Sequence, residues 1–308
     1  MNAVDHLWGR SVRWTKRRVL VPTMAAVAAT LVVTTLVVAA LVGSAARSHH
    51  PQAPAAAGPG PAASDSAGWK LVWSDDFDAG TLDRTKWKAK NDTSVDYDRA
   101  CIVDGAGNIV VGGGTVTLRA RRQPAKCGSR TRAYTTAYLT TEGRKSFTYG
   151  RFEIRAKAPT GPDDSTGLWP AFWLRPDGGG VGEIDVVELA GGAAYYRAAT
   201  QAVIYDYTPI KQDHRYAFPR GYPADGFHTY TVDWEPGVLR WYVDGTQVYQ
   251  RDRTTTPWFD QALSRPFHLL LNFQVGGWLG DPTAGTRFPA DFQVDYVRVW
   301  QRESAGRP

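Results

Sequence analysis

The chain has 308 residues, 43% hydrophobic and 21% charged, with a net charge of +6. That composition is too apolar for a disordered chain, and two cysteines are too few for a disulfide-stapled miniature scaffold. Nor does the charge mark a nucleic-acid binder. Residues 1–50 hold six Lys/Arg against one acid, or +5, so about +1 remains for everything else, without a basic patch interleaved with aromatics.

Residues 1–18 form a basic segment carrying Arg10, Arg13, Lys16, Arg17 and Arg18. Residues 19–46 contain no charge and are mostly Val, Ala, Leu and Thr, longer than the ~7–15 residues of a signal-peptide core and long enough to span a bilayer. The basic flank should stay in the cytoplasm and everything that follows should be exported. Gly43-Ser-Ala-Ala46 could also be cleaved, so a membrane anchor with an extracellular domain and a secreted form both stay open. Residues 47–67, rich in Pro, Ala and Gly, read as a linker because they lack large apolar residues to pack.

Residues 68–303 then read as one exported domain of about 235 residues, a size that a single all-β domain reaches. Cys101 and Cys127 are expected to form a disulfide in an oxidising compartment. The segment between them holds the turn Gly112-Gly-Gly114 and a strand from Thr115 to Arg121, which suggests a bridge across a strand pair. Arg151 to Lys157 alternates charged residues with Phe152, Ile154 and Ala156. Asp244-Gly245 signals a tight hairpin turn, and Trp258 to Leu263 a short helical turn. Phe267, Leu269, Leu271, Phe273 and Val275 share one face of a strand, opposite His268, Leu270, Asn272 and Gln274. Many short strands punctuated by Gly and Pro imply two packed sheets. The six histidines show no metal spacing and read as surface or structural.

Glu183-Ile-Asp-Val-Val-Glu188 places three acids in a β-branched strand. Alternation puts Glu183 and Asp185 on one face, and one extra residue at Val186-Val187, a β-bulge, brings Glu188 to the same side. Like charges so close should raise at least one pKa, which suits a carboxylic acid that donates a proton near neutral pH. With Glu183 and Asp185 ionised, Glu188 is the carboxyl expected to rise. A solvated strand face or an oxygen-lined cation site would use the same pattern. Trp169 and Trp173 lie just upstream, an even number of residues apart, and would form an indole platform for sugar rings if that stretch is extended. Beside 12 tryptophans, the acids favour a carbohydrate site.

Trp169-Pro-Ala-Phe-Trp173 followed by Gly182-Glu-Ile-Asp-Val-Val-Glu188 resembles the signature of glycoside hydrolase family 16, in its laminarinase-like β-glucanase branch. Further matches, in the family's order, include Trp73-Ser-Asp-Asp-Phe77, Leu239-Arg-Trp-Tyr-Val-Asp-Gly245, Leu271-Asn-Phe-Gln-Val-Gly-Gly-Trp278 and Val294-Asp-Tyr-Val-Arg-Val-Trp300.

The resemblance implies a β-jelly-roll sandwich, concanavalin A-like, whose concave sheet forms a substrate cleft. It implies retaining cleavage of internal β-glycosidic bonds, with β-1,3- or mixed-linkage glucan as the expected polysaccharide partner. Glu183 would be the nucleophile, Glu188 the acid/base, and Asp185 the carboxylate that orients Glu183. Asn272, Gln274 and Trp278 are candidate sugar contacts with the two upstream tryptophans. No cofactor is expected for catalysis, and Asp295 sits where many members have a structural calcium ligand. A monomer is expected. Two departures concern substrate subsites: Thr200 to Tyr207 lacks a histidine common there, and Tyr138 stands where an arginine is common. Transglycosylation on the same triad and non-catalytic glycan binding are the alternative functions.

Overall fold

The computed structural model describes residues 68–93, 98–206 and 210–303. The segments expected at 1–18, 19–46 and 47–67 lie outside them, and among the described residues no helix is long and apolar enough to cross a membrane. The chain runs through β1 (Trp69–Asp75), β2 (Lys88–Ala89), β3 (Ala100–Ile102), β4 (Ile109–Gly112), β5 (Thr115–Ala120), β6 (Ala125–Cys127) and β7 (Arg130–Arg132). It continues through β8 (Tyr134–Thr136), β9 (Tyr138–Thr140), β10 (Ser146–Phe147), β11 (Gly150–Lys157), β12 (Leu168–Pro176) and β13 (Glu183–Glu188). Then come β14 (Ala198–Asp206), β15 (Ile210–Ala217), β16 (His228–Glu235), β17 (Val238–Val243) and β18 (Thr246–Asp252). The short helix α1 (Phe259–Leu263), β19 (Phe267–Val275) and β20 (Ala290–Arg302) close the domain.

Sixteen of these strands build two eight-stranded sheets. The back sheet runs β18-β17-β16-β11-β20-β5-β4, with β1 also on β20. The site sheet runs β15-β14-β13-β12-β19-β9-β2, with β10 also on β19. One continuous core is drawn from both: Phe152, Val232, Trp234, Trp241 and Val299 from the back sheet, Phe172, Ile184, Val203, Leu271 and Phe273 from the site sheet. The alternation read in the sequence explains this, since every second residue of β11, β12 and β19 turns inward. The Asp244-Gly245 turn has positive φ at both residues, 48° and 76°, as a type I′ hairpin requires.

Cys101 in β3 and Cys127 in β6 are bonded, with Cα atoms 5.5 Å apart. The bridge does not cross a hydrogen-bonded strand pair. β3 pairs in parallel with β8 and β6 pairs with β7, so the disulfide joins two small ribbons that lie outside the two main sheets.

Candidate active site

The acid strand sits in the middle of the site sheet, between β12 and β14. Just before it, Gly182 has φ of +108°, and a Cβ there would lie 2.5 Å from the Ala262 carbonyl of α1, so only glycine lets the chain enter at this point. Asp185 pairs with Ala202 and Glu188 with Thr200, three residues on β13 against two on β14. This is the bulge expected at Val186-Val187, and both valines point into the core. All three carboxylates therefore face away from the core. The bulge breaks the ladder beside Asp185, whose carbonyl accepts a 2.9 Å hydrogen bond from Trp241 Nε1 of the back sheet.

On β12, Trp169, Ala171, Trp173 and Arg175 share the acids' face, with Ala171 opposite Glu188 and Trp173 opposite Asp185. On the far side of β12, Asn272 lies opposite Ala171 and Gln274 opposite Trp169. Glu183, Asp185, Glu188, Trp169, Trp173, Asn272, Gln274 and Trp278 all line one cavity of about 130 Å³. Trp278 stands at its rim, 64% exposed, after Gly276, where a Cβ would clash with the Arg99 side chain. Asn272 Oδ1 accepts from Trp173 Nε1 at 2.7 Å, and Gln274 donates to the Gly276 carbonyl at 3.2 Å, so protein contacts hold both amides. Tyr138 packs edge-on against Trp173, and the Lys90 ammonium lies 4.4 Å from its ring centre. A larger hollow of about 570 Å³, near the ends of β11 and β20, contains none of these groups.

The carboxylates differ in environment. Glu183 is buried and accepts a 2.7 Å ion-pair hydrogen bond from Arg175 Nη1. Asp185 is held well above the usual carboxylate range, by burial first and then by the charges of Glu183 and Glu188, and it hydrogen-bonds Glu183. Burial, followed by the charge of Glu183, pushes Glu188 up to about 7. Lys211 and the Trp169 indole act the other way on Glu188, although Trp169 Nε1 makes no hydrogen bond of ordinary geometry. The expected rise of Glu188 is therefore present, with poor solvation and the Glu183 charge as its causes and without the expected contribution from Asp185. For Asp185, burial and the neighbouring carboxylates favour the neutral form.

Two groups of the site went unnoticed in the sequence. Arg175 extends the even spacing of Trp169 and Trp173 by one more step, a signal that was available. Lys211 comes from β15, a strand of polar and charged residues without apolar alternation, and only its pairing with β14 brings it to the cavity.

The residues do not favour a cation site. Asp295 is ion-paired with Arg155 at 2.5 Å, and among the described residues no other carboxylate, histidine or thiol gathers with it. Calcium takes six to eight oxygen ligands, so one carboxylate already neutralised by a guanidinium is a poor fit. The single grouping of three metal-ligand residue types among the described residues, Asp92 with Cys101 and Cys127, has both sulfurs in the disulfide.

A β-sandwich that sets a carboxyl titrating near 7 beside an arginine-bound carboxylate, under exposed and half-buried indoles, is built to hydrolyse glycosidic bonds. The chain belongs to glycosyl hydrolases family 16, whose family model matches residues 97–298. It is 38% identical over 263 residues to a beta-glucanase of Rhodothermus marinus, covering 76% of this chain and 85% of that protein. It is 30% identical over 271 residues to glucan endo-1,3-beta-glucosidase A1 of Niallia circulans, covering 77% of this chain but only 38% of that longer protein. Among solved structures, the endo-beta-1,3-glucanase of Pyrococcus furiosus superimposes with a TM-score of 0.69 at 29% identity, over 77% of this chain and 96% of that one. The two-sheet sandwich is thus the jelly roll of this family.

Proposed function

We propose that this domain cleaves internal β-1,3- or mixed-linkage bonds of a β-glucan, with retention of configuration. The observation that carries the reading is the contrast between Glu183, tied to Arg175, and Glu188, held near 7 in the same cavity. Glu183 is the nucleophile, and Arg175 and Asp185 hold it in place for attack on the anomeric carbon. Glu188 gives its proton to the leaving oxygen, then takes one from the water that releases the sugar. Retaining pairs stand about 5 to 5.5 Å apart, against about 6.5 to 9.5 Å for inverting pairs. Trp169 and Trp173 offer apolar faces to sugar rings, and Trp278 extends that surface at the rim. The β-glucanase names of the relatives support the glucan assignment.

Proton NMR of a soluble β-1,3-glucan digest should show the β anomer first, and an initial α anomer would exclude retention. Glu183→Gln and Glu188→Gln should each lose about 100-fold or more in kcat while keeping the native fold.

The uncharged segment at residues 19–46 supports export of this domain, either tethered to the membrane or released. Full-length protein in the membrane fraction indicates a tether, a shortened product in the medium indicates release, and full-length protein in the cytosol would rule out export.

A further inference from the structure

β15 carries ionisable groups that the triad does not use. Its register with β14 sets Lys211 opposite Ile204, Asp213 opposite Ala202 and Arg215 opposite Thr200. The same three β14 residues stand opposite Glu183, Asp185 and Glu188 on their other side. Directly opposed residues share a face, so the series Lys211, Asp213, Arg215 lies parallel to the three acids, one strand removed. Ala202 and Thr200 are small, so few side-chain atoms stand between the two series. Lys211 alone of the β15 series lines the cavity, and its Nζ lies 3.6 Å from Asp213. Arg215 instead stacks over Tyr195 at 4.5 Å.

We propose that Lys211 is a positioning residue of the reaction, whose ammonium, held at the cavity wall by Asp213, sets the proton affinity of Glu188. This rests on the assignment of Glu188 as acid/base. Lys211 itself transfers no proton: the proton passes from Glu188 to the leaving oxygen and returns from water.

The groups around Glu188 leave few other sources of positive charge. On β13 stand Glu183 and Asp185, and on β12 Arg175 is committed to Glu183 and Trp169 is neutral. β14 offers uncharged Thr200. From β19, Asn272 and Gln274 are neutral, while His268 is hydrogen-bonded to Asp177 at 2.9 Å. Burial and Glu183 push the Glu188 carboxyl up, Asp213 adds to that rise, and Lys211 opposes it. Without the ammonium, Glu188 would hold its proton more tightly and serve less well as base in the second step, and with the ammonium it is better suited to both roles.

The test is the pH profile of kcat/KM on a soluble β-1,3-glucan at low ionic strength, for wild type, Lys211→Met, Lys211→Gln, Lys211→Arg and Asp213→Asn. Both neutral variants should move the alkaline limb up by roughly 0.5 to 1 unit, as expected for one partly exposed charge. Lys211→Arg should leave it in place, and Asp213→Asn should move it down. The upward shift should shrink in high salt. Calorimetry checks that the folds are equivalent, and the two neutral variants guard against one failing to fold. An unmoved limb in both neutral variants, with Glu188→Gln inactive, overturns this inference alone. Wild-type turnover by Glu188→Gln overturns the acid/base assignment and this inference with it.

Discussion

An aspartate whose neutral form is favoured between two glutamates acts as a hydrogen-bond donor more than as a third charge. Burial, with the charges of Glu183 and Glu188, favours the neutral form of Asp185, and its bond to Glu183 helps fix the carboxylate that Arg175 grips from the other side. Asp185→Asn keeps a donor at this position and removes almost no charge. Its alkaline limb in kcat/KM should therefore stay within about 0.3 units of wild type, whereas Asp185→Ala should lower kcat by roughly 10-fold or more through loss of the donor. A clear downward movement of the limb in Asp185→Asn would mean that Asp185 is ionised. The sequence alone supports the opposite expectation, because spacing shows that three acids share a face but not how deeply each is buried. The identities of Glu183, Asp185, Glu188, Trp169 and Trp173 were legible as a set because strand alternation needs no tertiary information. The engagement of Asn272 with Trp173 was not legible, since it depends on β19 lying next to β12.

At the scale of elements, the bulge in β13 depends on the opposite sheet. Trp241, fully buried on β17, supplies the hydrogen bond that the interrupted ladder denies to the Asp185 carbonyl. Trp241→Phe leaves that carbonyl unsatisfied and opens a small void, which should destabilise the domain by about 2 to 4 kcal/mol. Calorimetry should show the lower melting temperature. Because the carbonyl belongs to Asp185, kcat should fall as well, and a fully retained kcat would show that the bulge holds its shape without this bond. β11, β19, the Asp244-Gly245 hairpin and the turn at α1 could be read locally from apolar period and turn residues. β15 could not, because both its faces carry polar groups and its partner strand defines it. Lys211 stayed hidden for that reason.

At the scale of the whole molecule, two packed sheets follow from the density of short alternating strands, but their order does not. β11 lies beside β20, β12 beside β19, and β9 beside both β19 and β2, pairings between segments far apart in the chain that no local pattern encodes. One such pairing brings the ends of the described domain together. β1 lies antiparallel to β20, with Trp69 opposite Arg302, and the Gly68 carbonyl accepts a 3.1 Å hydrogen bond from the Glu303 amide. The path through the fold thus leaves almost where it enters. A domain with that property can be spliced into a loop of another protein, or have its ends joined and be reopened elsewhere, without stretching its host or itself. Sequence attached before residue 68 and sequence attached after residue 303 would both depart from the same spot.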